Sequence, residues 1–259
     1  KIGHEDIVFN ALHGGSGENG DIQAMLERKG FSYTGSDSKS SKICMDKSLS
    51  KTIALKEGLS IPKWILVKNN NRKKYELDYH KNNEEISYPI IVKPNSEGST
   101  MGLSKANNFE EMNSAVSKAF GFSEEVMVEE YISGREITVG VLGDRALPIV
   151  EIFPQKDFFD YECKYSKGMS TYDVPAKINK ELAVKIQKDA FKIHESIGCR
   201  HYSRVDFILG NNDNYYFLEI NSLPGMTSTS LLPMAAKSAG MNFDELIDTI
   251  LNMAISNND

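Results

Sequence analysis

The sequence has few of the features that mark secreted, zinc-binding or membrane proteins. Its 259 residues include only three cysteines, Cys44, Cys163 and Cys199, without paired spacing, which argues against a disulfide framework or zinc site and suggests a cytoplasmic setting. No apolar run approaches bilayer length, and the residues present contain no signal-peptide pattern, so we expect no membrane partner. A net charge of −6 argues against nucleic acid as the main partner.

Two common nucleotide motifs are absent or incomplete. There is no Gly-x-x-x-x-Gly-Lys-Ser/Thr P-loop. Gly15-x-Gly17-x-x-Gly20 matches the dinucleotide fingerprint, since it follows an apolar strand predicted over residues 7–12 and opens a predicted helix. However, no second strand with an acidic residue for a ribose follows, so we reject NAD and expect a turn whose N–H groups meet an anion. His13 precedes this turn, and a structural and a functional role remain open for it.

The most informative pattern is a hairpin near the end of the chain. Two apolar runs, residues 204–209 and 215–221, flank a Gly/Asn/Asp turn, which is typical of antiparallel strands. Alternation places Glu219 and Asn221 on one face, where Asp206 and Arg204 can join them. The intervening residues are apolar and indicate a buried sheet: Val205, Phe207, Tyr216, Leu218 and Ile220. Oxygen ligands in a buried sheet suit hard divalent cations that hold a polyphosphate, although a solvated sheet face is the simpler alternative.

A second candidate site lies in the middle of the chain. Lys93 ends an apolar strand, where a buried ammonium is costly without an anion. The small residues that follow, Gly98, Ser99, Thr100 and Gly102, would let backbone N–H groups approach phosphate oxygens. The segment 128–132 then suits an adenine slot, with Glu136 for ribose, although alone it is typical of an amphipathic strand.

Local signals also predict the helices. We expect helices from Asp21 to about Gly30, as one element carrying Ile43 to Ala54, from Asn108 to Phe120, from Asn179 to Gly198, and from Asn242 onward. Residues 155–175 are polar and aromatic and predict a long loop of the kind that covers active sites.

In chain order, the lysine-ended strand, glycine loop, Glu-rich strand and Asp…Glu-x-Asn hairpin resemble the ATP-grasp fold. A closer resemblance, to the D-alanine–D-alanine ligase family, extends over essentially the whole chain. It rests on His13-Gly-x-x-Gly-Glu-x-Gly, Met45-Asp-Lys47, Val92-Lys-Pro-x-x-Glu-Gly-Ser99, Tyr161-Glu-x-Lys164-Tyr165, Arg204-Val-Asp206 and Glu219-Ile-Asn-Ser-x-Pro-Gly-Met-Thr-x-x-Ser230-Leu.

This resemblance implies an α/β (α+β) architecture, an ATP-grasp fold with a truncated N-terminal α/β subdomain. Residues 1–34 would be the remnant of the N-terminal substrate-binding domain, residues 35–132 the central subdomain with the glycine flap, and residues 133–259 the C-terminal subdomain with the metal and substrate sites. The family's first Gly-Gly-x-Ser-x-Glu turn does not precede Lys1, so we expect the sequence to be incomplete there.

The resemblance also implies individual roles. ATP would be held through its phosphates, adenine and ribose by Lys47, Lys93, Lys164, Glu129, the hinge at Glu130 and Ile132, and Glu136. Two Mg²⁺ (or Mn²⁺) ions would be bound by Asp206, Glu219 and Asn221. Arg204 and the Gly225 N–H would stabilise the oxyanion. The second D-alanine would lie against Ser230, Leu231 and His13, and Ser99 would meet Tyr165 as a lid closes.

The implied function is ATP-dependent joining of two D-alanines, through an acylphosphate, for peptidoglycan synthesis and cell shape. ATP and D-alanine are the implied partners, and a homodimer is left open. Two alternatives remain: a D-alanine–D-lactate or D-alanine–D-serine ligase, for which Tyr165 is the discriminating residue, and an inactive nucleotide-binding fragment.

Overall fold

The structure is a computed structural model that describes residues 3, 6–69, 76–78, 86–98, 101–154 and 170–256. In this part of the chain, helices accompany a two-stranded, a five-stranded and a six-stranded sheet. The mixed α/β architecture predicted from the sequence is therefore confirmed. No described helix combines the length and apolar character needed to cross a membrane.

The N-terminal segment is a small βαβ unit. Strand β1 (Ile7–Val8) pairs in parallel with β2 (Ser32–Tyr33), and helix α1 (Asp21–Arg28) connects them. The strand predicted over residues 7–12 is too long. The chain leaves the sheet near Asn10, where side chains replace backbone partners: the Asn10 N–H donates to Thr34 Oγ1 at 3.1 Å and its Oδ1 accepts from the Leu12 N–H at 3.1 Å.

Two helices replace the single one predicted after α1. Helix α2 (Ser38–Met45) ends at Asp46, whose ψ of 103° is extended, and α3 (Lys47–Lys56) begins directly afterwards. The Asp46 carboxylate accepts from the Leu49 N–H at 3.0 Å, so this residue caps the second helix while it interrupts the first. The prediction of one continuous helix was wrong because apolar spacing continues across this capping residue.

The five-stranded sheet carries the Lys93 strand. Its order is β4 (Glu76–Asp78), β3 (Trp64–Lys68), β7 (Glu125–Glu130), β5 (Ile90–Pro94) and β6 (Ser104–Ala106), and every pairing is antiparallel. Helix α4 (Phe109–Ala119) covers one face of it. The predicted cap is confirmed, since Asn108 Oδ1 accepts from the Glu111 N–H at 2.9 Å.

The six-stranded sheet carries the hairpin. Its strand order is β11 (Ser170–Asp173), β10 (Val150–Pro154), β8 (Arg135–Leu142), β12 (Tyr202–Leu209) and β13 (Tyr215–Asn221). The short strand β9 (Arg145–Ala146) pairs with β8. Helix α5 (Lys180–Ile197) covers one face together with α2 and α3. Helices α6 (Leu231–Ser238) and α7 (Phe243–Ser256) form a second apolar cluster with the end of β8.

Each sheet falls within one of the three predicted segments, but helices α2 and α3 pack on β13 and α5 although they lie in the predicted central segment. The subdomain boundaries at residues 34/35 and 132/133 remain predictions.

Candidate active site

The candidate site lies between the two larger sheets. A cavity of about 80 Å³ is bounded by side chains from α3, β5, β13 and the loop after β5. Its lining comprises Lys47, Lys93, Pro94, Glu97, Gly98, Met101, Leu103, Leu218 and Glu219. The structure thus brings together the glycine loop, the strand lysine and the hairpin that the sequence predicted separately.

Lys93 is 7% exposed at the end of β5, as expected for a buried strand lysine. The anion that accompanies it here is a protein carboxylate: its Nζ lies 2.9 Å from Glu129 Oε1 on the adjacent strand β7. Burial alone raises the pKa of Glu129, but the charges of Lys51 and Lys93 outweigh burial and lower it below its ordinary value. Glu129 is therefore an ionised carboxylate in the interior.

Lys51 is a third member of this cluster, and the sequence analysis missed it. Its side chain is fully buried, its Nζ lies 2.7 Å from Glu129 Oε2, and it donates to the Phe217 carbonyl oxygen at 3.3 Å. The Glu129 contact is an ion pair without hydrogen-bond alignment. Burial lowers the pKa of Lys51 to about 8, against the opposing effect of Glu129. A signal was available, because Lys51 follows Lys47 by four residues and shares its face of α3.

Lys47 connects the loop after β5 to the hairpin. Its Nζ donates to the Glu97 carbonyl oxygen at 2.5 Å and lies 3.5 Å from Glu219 Oε2. Lys47 is the first residue of α3, and its backbone N–H fixes its position by donating to the Asn95 carbonyl oxygen at 3.1 Å. An ammonium with these partners lies where a phosphate would meet both the loop and the hairpin.

The hairpin is antiparallel, as predicted, and its register places Asp206 opposite Glu219 and Arg204 opposite Asn221. A bulge at Leu218, which has no partner between the Asp206 and Phe207 pairs, changes the alternation beyond it. Leu218 consequently lines the cavity and is half-buried, as is Tyr216, whereas Val205, Phe207 and Ile220 are buried as predicted.

Arg204 and Asp206 form a two-pronged ion pair. Arg204 Nε and Nη2 donate to Asp206 Oδ1 and Oδ2 at 2.9 and 2.8 Å, and Thr138 Oγ1 donates to Oδ1 at 2.5 Å. Burial opposes the charge on Arg204, but Asp206 outweighs it and raises the arginine pKa above its usual value. The cations that accompany these inward carboxylates are Arg204 and Lys47.

The donor set at this position fits magnesium. In the described part of the chain, no cluster of three or more His, Cys, Asp and Glu side chains could hold a metal ion. The available donors are two carboxylates, Asp206 and Glu219, and the amide oxygen of Asn221, which accepts from the Leu223 N–H at 2.8 Å and retains a second lone pair. Few protein ligands, completed by phosphate oxygens and water, are typical of Mg²⁺.

A second cavity lies beside the turn after β13. It has a volume of about 330 Å³ and is lined by Phe9, Ala11, His13, Met226, Thr227, Phe243 and Ile247. His13 Nδ1 lies 3.4 Å from Glu18 Oε1, and this contact raises the pKa of His13. His13 is therefore at a cavity wall near Arg204 and Leu223, both of which act on its pKa.

Gly225 and Ser230 lie close together in this turn. A Cβ on Gly225 would lie 2.8 Å from Ser230 Oγ, so any side chain there would displace the serine. Ser230 precedes α6, and its Oγ accepts from the Thr227 N–H at 3.0 Å. Leu231 opens α6, whose first-turn N–H groups form a site suited to a carboxylate.

Packing accounts for two of the three glycines in the apparent dinucleotide fingerprint. A Cβ on Gly17 would lie 1.8 Å from the Leu12 carbonyl oxygen, and one on Gly20 would lie 2.4 Å from that of Ser38. Gly20 also has a φ of 93°, which favours glycine. These glycines permit close backbone approach, without a nucleotide.

Three of the remaining predicted residues lie in the described part of the chain and three lie outside it. Glu130 Oε2 accepts from the Lys63 N–H at 3.4 Å, and Ile132 and Glu136 are half-buried, the latter opposite Ile208. Ser99, Lys164 and Tyr165 lie outside the described residues.

A lysine-bearing sheet, a glycine loop and a carboxylate hairpin that share one cavity define an ATP-grasp protein. Solved structures agree: the chain is similar to a D-alanine–D-alanine ligase from Bacillus anthracis complexed with ATP, with a TM-score of 0.83 and 33% identity, over 97% of this chain and 79% of that one. It is also similar to the VanG D-Ala:D-Ser ligase from Enterococcus faecalis, with a TM-score of 0.84 and 32% identity, over 96% and 73% of the two chains.

The family follows from sequence comparison. A family model described as the D-ala D-ala ligase C-terminus matches residues 53–252. A D-alanine–D-alanine ligase from Halalkalibacterium halodurans is 40% identical over 96% of this chain and 82% of its own length. Another from Methylacidiphilum infernorum is 41% identical over 96% and 78%. The chain belongs to the D-alanine–D-alanine ligase family.

Proposed function

We propose that the protein is an ATP-dependent ligase that joins two D-alanines into D-alanyl-D-alanine for peptidoglycan synthesis. The observation that carries the proposal is the meeting of Lys47, Lys93 and Glu219 at one cavity, beside Arg204 and Asp206. Two findings support it: relatives are named D-alanine–D-alanine ligase, and a solved structure of the same fold is complexed with ATP.

ATP binds between the two larger sheets. Lys47, Lys93 and Lys164 hold its phosphates, Glu129 accepts from the adenine amine beside the hinge backbone of Glu130 and Ile132, and Glu136 binds ribose. Lys47 now donates to the Glu97 carbonyl oxygen and Lys93 to Glu129, so phosphate binding exchanges both contacts. For Lys47 the exchange is favourable, because an ammonium forms a stronger charge-assisted hydrogen bond with a phosphate oxygen than with a backbone carbonyl.

Asp206, Glu219 and Asn221 would hold two Mg²⁺ (or Mn²⁺) ions. Bound there, the ions would supply positive charge for the phosphate oxygens. Asp206 would hold an ion through the oxygens that Arg204 now contacts, and the guanidinium would then be available to the reacting carbonyl.

The reaction has two steps. The carboxylate of the first D-alanine attacks the γ-phosphate and gives an acylphosphate and ADP. The amine of the second D-alanine then attacks the acyl carbon, and inorganic phosphate leaves. Arg204 and the Gly225 N–H stabilise the tetrahedral oxyanion, while positioning supplies much of the rate.

The second D-alanine binds beside the turn after β13. Ser230 and Leu231, at the start of α6, hold its carboxylate, and His13 lies near it. Ser99 and Tyr165 meet above it as the lid closes. A three-part subdomain division at residues 34/35 and 132/133 and a homodimer remain part of the proposal.

A D-alanine–D-serine ligase is the second candidate, because the structurally similar VanG protein, with a TM-score of 0.84, is a D-Ala:D-Ser ligase. The full-length gene product should be incubated with Mg-ATP and D-alanine alone, or with D-serine or D-lactate added, and the products measured by mass spectrometry. We expect D-alanyl-D-alanine as the main product at neutral pH. A preference for the mixed product would favour the second candidate, and ADP release without any ligation product would contradict both.

A further inference from the structure

Glu129 has two lysine partners, and only one of them reaches the cavity. Lys93 lines the cavity on one side of the carboxylate, whereas Lys51 lies on the other side and is fully buried. The proposed function moves Lys93 onto a phosphate. A buried carboxylate that loses its counterion is strongly destabilised or becomes protonated, so Glu129 needs a cation that stays.

Lys51 meets this requirement by its position. Its Nζ lies 2.7 Å from Glu129 Oε2, the oxygen opposite the one that Lys93 contacts, and the Phe217 carbonyl oxygen at 3.3 Å fixes its other side. Lys93 lines the cavity and Lys51 does not, so Lys93 is the ammonium that an incoming phosphate meets while Lys51 keeps Glu129 as its partner. Lys51 and Lys93 therefore have separable tasks although they share one carboxylate.

We propose that Lys51 is a positioning residue that keeps Glu129 ionised and oriented toward the adenine amine while Lys93 transfers to the phosphates. This inference rests on the proposed function, and it names Lys51 as the group that sets the selectivity of the ATP site among purine nucleotides. An ionised carboxylate accepts a stronger hydrogen bond from the exocyclic amine of a nucleotide than a protonated carboxyl group does. Without Lys51, Glu129 takes up a proton when Lys93 transfers to the phosphates, and protonation weakens its bond to the amine.

The test compares ATP with purine riboside triphosphate, which is ATP without its exocyclic amine. Calorimetric titration of the full-length protein with Mg²⁺ and without D-alanine gives both affinities, and their ratio cancels effects on the shared triphosphate. For the wild type we expect a preference for ATP of about tenfold or more, the value of a hydrogen bond to a charged group. Lys51→Met, which keeps an unbranched side chain but removes the charge, should reduce the ratio to below about threefold.

Two further variants separate positioning from general stability. Lys192→Met is the matched control, because it removes an ammonium that lies 3.2 Å from Glu57 Oε2 and joins α5 to the end of α3 without reaching the cavity. It should leave the ratio unchanged. Adding Lys51→Met to Glu129→Gln should change the ratio by less than about twofold beyond Glu129→Gln alone, since Lys51 acts through Glu129.

A wild-type measurement covers the case in which Lys51→Met does not fold. The charged groups that act on Lys51 are Glu129 on β7, Lys93 on β5 and Glu219 on β13. Burial lowers the pKa of Lys51 to about 8, so its charge is lost between pH 7 and 9 and the wild-type ratio should fall across that interval.

The outcomes distinguish this inference from the proposed function. A ratio that stays above tenfold in folded Lys51→Met, or that does not change in the wild type between pH 7 and 9, would overturn the role of Lys51 while ATP binding stands. Failure of the wild-type protein to bind ATP would overturn the proposed function and this inference with it.

Discussion

Acidification should destabilise this protein at pH values well above those at which its carboxylates titrate, because two buried histidines are held neutral. His194 and His201 are both nearly inaccessible, and burial lowers the pKa of each to about 4. His201 Nδ1 accepts from the Gly35 N–H at 2.9 Å, so protonation of that nitrogen would replace an acceptor by a donor. His194 Nδ1 lies 2.7 Å from Ser203 Oγ.

Proton linkage gives the direction and the size of the change in the free energy of unfolding with pH. Each folded-state pKa lies below the unfolded value of about 6.5, so between pH 6.5 and 4 the unfolded chain binds more protons and stability falls as the pH falls. At pH 5 the free energy of unfolding should be lower than at pH 7.5 by about 2 kcal/mol per histidine, or about 4 kcal/mol for the pair.

Urea denaturation of the wild type and of His194→Gln at pH 7.5 and 5.0 measures this loss. Glutamine cannot take up a proton in this range, so the variant should lose about 2 kcal/mol less than the wild type between the two pH values. His13 works in the opposite direction, since its pKa is raised, but it is common to both proteins. An equal pH dependence in the two proteins would refute the claim that buried neutral His194 costs stability in acid.

Three further predictions concern the site. Glu219→Gln should abolish Mg-dependent turnover with an unchanged circular dichroism spectrum, because it removes an anionic ligand at constant volume; near-normal turnover would contradict the metal assignment. Gly225→Ala should raise the KM for the second D-alanine about tenfold, because its Cβ would lie 2.8 Å from Ser230 Oγ and displace the hydroxyl proposed to hold that substrate's carboxylate; an unchanged KM would argue against that role of Ser230. In the full-length protein, Tyr165→Phe should admit D-lactate as second substrate, and an unchanged dipeptide-to-depsipeptide ratio at neutral pH would show that the tyrosine has another role.

Patterns that depend on neighbouring residues were predicted well. Asn108, Asn179 and Asn242 each accept from the backbone of a helix first turn, as the sequence indicated. The antiparallel hairpin that carries Asp206 and Glu219 followed from two apolar runs and a short polar turn. These features depend on a few residues in one segment, so the sequence contains the whole cause.

The features that were missed depend on contacts between segments. Lys51 becomes a site residue only because α3 packs against β13 and brings its ammonium to Glu129 on β7. Leu218 reaches the cavity through a bulge that alternation cannot reveal. The sequence indicated that Lys93 needed an anion, but it could not indicate that a protein carboxylate would be paired with it in this structure.

The most direct measurement of the central claim follows oxygen from D-alanine to phosphate. The full-length protein should be incubated with Mg-ATP and D-alanine whose carboxylate carries a heavy oxygen isotope, and the inorganic phosphate analysed by mass spectrometry. Attack by the carboxylate on the γ-phosphate, followed by displacement by the second amine, predicts one labelled oxygen in each phosphate released with D-alanyl-D-alanine. Phosphate without the label would mean that water attacks ATP, and it would contradict an acylphosphate ligase.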